Sequence, residues 1–118
     1  MAFLSIERAG GVVMVTMSEP ATRNAITDNT AVDEFAALCA EVNANPADKA
    51  VIITGAGSVF SSGGNISTMH RCMDPALPCE AIITDYAQCV ERLAQLIGGL
   101  EVPRIAGVNG SAVGAGCD

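Results

Sequence analysis

The sequence predicts an α/β domain, and three features carry that prediction. Short β-prone runs alternate with two stretches in which apolar residues recur at three- and four-residue steps, the periods of strand and amphipathic helix. Two of the apolar runs end in glycine-rich segments, as strands do where a sheet gives way to ligand-binding loops. The chain has 118 residues, 50% of them hydrophobic, enough for one domain with its own core and too few for two.

Phe3 to Arg8 and Val12 to Met17 are β-prone and separated by Ala9-Gly10-Gly11, which suits a hairpin with glycine at a positive-φ position. Ser18 to Thr27 contains Pro20 and Asn24 without periodicity and reads as loop, with Thr27 or Asp28 as a helix cap. From Asp28 to about Asn43, Val32, Phe35, Leu38, Cys39 and Val42 fall on one helical face, and Pro46 closes the segment. Ala50-Val51-Ile52-Ile53-Thr54 is continuously apolar, the pattern of a central strand buried on both faces and parallel to a later one. Ile83, Tyr86, Val90, Leu93, Ile97 and Leu100 mark a second helix weakened at Gly98-Gly99. Arg104 to Val108 is a third buried-strand candidate, followed by the turn signal Asn109-Gly110. The last residues, Gly114 to Asp118, read as the opening of another helix.

Composition removes several function classes. Six basic residues against 13 acidic ones give a formal net charge of −7, which repels nucleic-acid backbones and anionic membrane surfaces, and the basic residues are not clustered. No apolar run reaches the roughly 18 residues of a spanning helix. The first residues lack the basic and long apolar regions of a secretory signal, so a cytoplasmic protein is expected. Five cysteines, Cys39, Cys72, Cys79, Cys89 and Cys117, are odd in number and contain no C-x-x-C pair. They read as reduced, mostly core-filling thiols, and no metal is expected.

Two segments carry the functional signal: Gly55 to Asn65, and Val108 to Asp118. Glycine or alanine lets a loop backbone approach a ligand without Cβ interference, so an N–H can stand about 2.7–3.1 Å from an oxygen that gains charge. Two such loops would make a two-donor pocket. The same glycines also serve tight turns and close helix–strand contacts, and composition alone does not separate the two readings.

Taken together, Arg23-Asn24-Ala25-Ile26-Thr27, then Val51 to Gly55 leading into Phe60-Ser61-Ser62-Gly63-Gly64-Asn65, then Pro103 to Asp118, closely resemble the enoyl-CoA hydratase/isomerase (crotonase) superfamily. Three motifs in the family's order and spacing are far more specific than any one. The resemblance covers residues 1–118 as the N-terminal part of a single crotonase-like domain, about half of a usual family domain. It implies a spiral of repeated β-β-α units, trimers or paired trimers as the assembly, and an acyl-CoA thioester as substrate, with coenzyme A part of that substrate and no separate cofactor.

The resemblance also implies roles for individual residues. Oxyanion N–H groups come from the residues matching Gly64 and Ala115, and Arg23, Asn24, Ala25 and Ile26, with Gly63, Asn65 and Ile66 beside the thioester loop, belong to the CoA and substrate site. Asp118 matches the position of a glutamate that works with a water molecule in family hydratases. Aspartate keeps the carboxylate and shortens its reach by one methylene, which leaves hydration and double-bond isomerisation both open. Asn65 stands where many members have aspartate. The second family carboxylate normally lies some twenty residues beyond Asp118, so residues 1–118 by themselves are expected to be inactive.

Other residues weigh less. His70 is the sole histidine, with no nucleophile at a defined spacing. Cys117, in its glycine-rich apolar turn, reads as a small packed residue. Met69, Met73 and Leu77 read equally as acyl-tunnel lining or ordinary packing, and Arg71 as a solvated cation or a phosphate contact. A dinucleotide-binding loop at Gly55-Ala56-Gly57 fails because the sixth motif position is Phe60 and Ser61 to Gly64 prolong the loop. A P-loop lacks its Gly-Lys-Ser/Thr. A non-enzymatic crotonase-like chain, whose exposed sheet edge favours association, remains compatible with the same motifs.

Overall fold

The computed structural model describes residues 2–27, 29–65, 70 and 73–118, without the side chains of residues 85 and 86. Strands β1 (Leu4–Ala9) and β2 (Val12–Met17) form the expected hairpin, in register from Leu4↔Met17 to Ala9↔Val12. Gly10 and Gly11 make the turn at φ 58° and 85°, a left-handed geometry that only glycine enters freely. At Gly11 a side chain would also meet the Lys49 stem at 2.9 Å.

Helix α1 (Ala31–Ala44) starts three residues later than the sequence predicts. Asn29, and not Thr27, makes the side-chain bond at the helix start, its Oδ1 accepting the Ala31 N–H at 3.0 Å. The Thr27 hydroxyl is used elsewhere, accepting the Asn65 N–H at 2.7 Å. Asp28 lies outside the described residues. Phe35, Leu38, Cys39 and Val42 are buried as their spacing predicts, while Val32 is half-buried at the rim.

Strand β3 (Ala50–Gly55) lies between β2 and β5 (Arg104–Gly107), parallel to both, in a sheet ordered β1-β2-β3-β5. Helix α1 covers the face carrying Val13, Val15, Met17, Val51 and Ile53, all buried. Each such side chain removed from water stabilises the fold by about 1.5–3 kcal/mol. The other face of β3 is half-exposed at Ile52 and Thr54, so burial on both faces is not found within this chain.

Helix α2 (Cys79–Tyr86), a π turn (Ala87–Glu91) and helix α3 (Arg92–Gly98) replace the single predicted helix. The extra residue per turn in the π segment rotates the apolar stripe. Leu93 and Leu100 are therefore buried beside α1 and Val90 half-buried, while Ile83 is 68% exposed. Strand β5 is exposed, against expectation. Arg104 and Ala106 pair with Val51 and Ile53, so they share the core face, but here that face opens into a cavity.

The predicted element order also misses two short strands inside the glycine-rich segments. These are β4 (Val59–Ser61) and β6 (Ser111–Ala112), which pair in parallel as a separate two-stranded sheet.

Candidate functional site

The β4–β6 pairing decides the geometry of the two loops. Val59 aligns with Ser111 and Ser61 with Ala112, and parallel strands release their following residues on the same side. Gly63 and the 3₁₀ turn Gly114–Gly116 are thereby pressed together. A Cβ on Gly63, whose φ is 80°, would lie 2.7 Å from the Val113 carbonyl oxygen and 3.0 Å from the amide nitrogens of Ala115 and Gly116. On the opposing loop, a Cβ on Gly116 would lie 2.4 Å from the Ser61 carbonyl oxygen. These glycines are required by close approach, and the contact holds two segments about fifty positions apart in the sequence.

Backbone N–H groups around this contact are largely engaged. Gly63 donates to Ser61 Oγ at 3.2 Å, Asn65 to Thr27 Oγ1, Val113 to the Ser61 carbonyl at 3.0 Å, Gly116 to Val113 and Cys117 to Gly114. Among the described residues, the N–H groups of Gly64 and Ala115 donate to no protein acceptor. Both residues are half-buried, and a half-buried donor without a protein acceptor is a place where a ligand oxygen gains most.

The segment from Arg23 to Ile26 braces this arrangement. Asn24 is fully buried, its Oδ1 accepts the Glu19 N–H at 2.9 Å, and its Nδ2 lies 3.0–3.2 Å from the carbonyls of Ala56, Val59 and Phe60. Ala25 bridges to Gly63, and Ile26 donates its N–H to the Gly63 carbonyl at 2.9 Å. The side chains of Asn24, Ala25 and Ile26 are buried within the fold, with Ile26 also on the wall of the cavity described below. Arg23, at φ 56° and exposed, is the one member of the four whose side chain faces solvent.

A cavity of about 590 Å³ lies between the core face of β3 and β5, helix α3 and the C-terminal turn. Ile26, Phe35, Ile53, Phe60, Leu93 and Ile97 wall it, Glu91 and Arg104 bring charge to it, and Ala115, Gly116, Cys117 and Asp118 border it. Asp118 is exposed, so its carboxylate stands at the border of the cavity, three residues from the Ala115 N–H.

Several expectations fail or fall outside the described residues. Cys39 is buried, and burial pushes its thiol pKa up, but Cys79 and Cys117 are exposed and Cys89 half-buried, so core filling describes one of the four described cysteines. His70 is exposed. Met73 and Leu77 are exposed and do not line the cavity. Ile66, Met69, Arg71 and Cys72 lie outside the described residues.

Sequence reading missed Ser61 and Asn109. Asn109 accepts the Gly55 N–H on Oδ1 at 3.0 Å and donates from Nδ2 to the Gly57 carbonyl at 3.0 Å, tying the second loop to the first. Its Asn-Gly signature pointed only to a turn. Ser61 was legible only as one letter in a motif.

A sheet with parallel central strands, helices on its core face and two glycine loops gathered by a small parallel pair define the class: an α/β protein of the crotonase fold. A crystal structure of an enoyl-CoA hydratase from Polaromonas sp. JS666 superposes with a TM-score of 0.83 at 27% identity, over 96% of this chain and 42% of that one. The enoyl-CoA hydratase/isomerase family profile matches residues 7–118, and the chain belongs to that family. It is 35% identical over 106 residues to the probable enoyl-CoA hydratase EchA14 of Mycobacterium tuberculosis, covering 89% of this chain and 38% of the relative. It is 31% identical over 114 residues to a crotonyl-CoA hydratase of Syntrophomonas wolfei, covering 96% and 41%. The chain spans about two fifths of the length of these relatives.

Proposed function

We propose that this protein binds an acyl-CoA thioester and holds its carbonyl oxygen between the N–H groups of Gly64 and Ala115 while that oxygen takes on enolate charge. The observation that carries this reading is the contact of Gly63 with the Ala115 amide, which leaves two half-buried donors without protein acceptors, one on each loop. In hydration, a water oxygen bonds to the β-carbon of a 2-enoyl thioester as one of its protons passes to a carboxylate, the C=C electron pair moves through the α-carbon onto the thioester oxygen, and the enolate then collapses as the α-carbon takes a proton from an acid. In double-bond isomerisation, a proton leaves the α-carbon and returns at the γ-carbon through the same enolate. Each fixed donor is worth about 3–4 kcal/mol in such a transition state, because it is oriented before charge develops.

In this reading Asp118, at the border of the cavity, takes the proton from the water or carries the proton between carbons, a role supported by its place on that border. Turnover is expected of a polypeptide that supplies a second acid besides Asp118. The reading extends to a trimeric or hexameric, cytoplasmic protein acting on fatty acyl thioesters. Among the described residues no helix is long and apolar enough to cross a membrane.

Titration with CoA, acetoacetyl-CoA and NAD separately tests the ligand class: binding of the CoA compounds and not NAD is expected, and NAD binding without CoA binding would overturn it. For the chemistry, crotonyl-CoA hydration is measured in a polypeptide extended past Asp118 and in its Gly64→Pro variant, which deletes one donor. Abolished turnover with CoA binding retained is expected, and unchanged turnover would remove Gly64 from the site.

A further inference from the structure

We propose that Ser61 is a positioning residue that fixes the spacing between the two amide donors, an inference that rests on the oxyanion reading above. Ser61 is 1% exposed and bonds in three directions. Its hydroxyl donates to the Asn24 carbonyl at 2.8 Å and accepts the Gly63 N–H at 3.2 Å, so the side chain fixes the peptide just before Gly64. The Ser61 carbonyl accepts the Val113 N–H at 3.0 Å, which fixes the start of the turn that carries Ala115.

Gly116 closes the junction from the other side, since its Cα faces the Ser61 carbonyl so tightly that no side chain fits. One residue thus holds the first donor loop through its hydroxyl and the second through its backbone. A hydroxyl is needed for this task because it gives one proton and accepts another in the same place. Alanine preserves the backbone bond to Val113 and removes both side-chain bonds, freeing Gly63 and leaving the Asn24 carbonyl unpaired. The donors then lose their preset separation, which affects the charged oxygen of the transition state more than the neutral oxygen of the bound thioester.

The test uses a polypeptide extended past Asp118, with [1-¹³C]butyryl-CoA as a non-reacting probe and crotonyl-CoA as substrate. In the wild type, the bound thioester C=O stretch is expected at lower wavenumber than in free butyryl-CoA. In Ser61→Ala, at least half of that displacement is lost and kcat for crotonyl-CoA falls about 10–100-fold, while the butyryl-CoA Kd and the crotonyl-CoA KM stay within about threefold. Ser61→Cys, which keeps a weak donor and acceptor at the same place, restores part of the displacement and is the variant to read if Ser61→Ala does not fold. A full wild-type displacement in the variant read overturns the role of Ser61 and leaves the oxyanion reading standing. Absence of any displacement in the wild type overturns both.

Discussion

Placing a single methyl group at Gly63 separates the two loops and tests their coupling. The residue sits at φ 80°, and its Cβ would lie 2.7 Å from the Val113 carbonyl oxygen and 3.0 Å from the Ala115 nitrogen. Ordinary contact begins at 3.4 Å, so the shortest approach falls short by about 0.7 Å (3.4 against 2.7) and the loops must part by a similar amount. A donor at about 2.7–3.1 Å that moves this far leaves effective range, and losing one such donor costs about 3–4 kcal/mol, or roughly 100–1,000-fold in kcat.

The left-handed backbone adds strain of about 1–2 kcal/mol to folding whatever the surroundings. Gly57 separates the two effects, because it shares φ 80° and has nothing within 4 Å of an added Cβ. Crotonyl-CoA hydration kinetics and thermal unfolding are measured for Gly63→Ala and Gly57→Ala in a polypeptide extended past Asp118. Both variants are expected to lose stability, and only Gly63→Ala is expected to lose turnover by about 100-fold or more. Turnover of Gly63→Ala within threefold of Gly57→Ala would refute the coupling of the loops.

Three further outcomes follow from the same contacts. Asn24→Ala strands the Glu19 N–H and removes the donor shared by the Ala56, Val59 and Phe60 carbonyls, of which Phe60 is buried, so chemical denaturation should show a loss of about 3 kcal/mol; a loss under about 1 kcal/mol would contradict the brace. Burial pushes the Glu34 pKa up, but hydrogen bonds from the Thr30 hydroxyl and the Leu4 and Phe3 N–H groups outweigh it and hold the carboxyl below its usual value. Its contribution is therefore complete above the unfolded pKa of about 4.3 and lost as pH falls through the lower folded value. Glu34→Gln should cost about 1 kcal/mol at pH 7 and progressively less as the pH is lowered below 4.3; a pH-independent difference would contradict this. Buried Cys39, its pKa raised by burial, should resist iodoacetamide in the folded protein while exposed Cys79 and Cys117 react, as peptide mass mapping would show.

The elements that local pattern determines were legible. The hairpin followed from alternation and Gly10-Gly11, and α1 from the spacing of Phe35, Leu38, Cys39 and Val42. What escaped depends on the third dimension. The π turn at Ala87–Glu91 breaks a period that continues unbroken in the sequence from Ile83 to Leu100. The exposure of β5 reflects where the helix layer ends, which no property of Arg104 to Gly107 records. In the site, the motifs marked the two loops, but the β4–β6 pairing that joins them involves strands of three and two residues, too short for any periodicity to register. Asn24 was singled out, yet its work is internal: left-handed at φ 58°, as asparagine tolerates, it turns its amide inward onto the first loop.

The most direct measurement is a crystal structure of this protein with acetoacetyl-CoA bound, read at the thioester oxygen. That oxygen should lie within about 3.1 Å of the amide nitrogens of both Gly64 and Ala115. An ordered thioester whose oxygen touches neither nitrogen, or only one, would contradict the account.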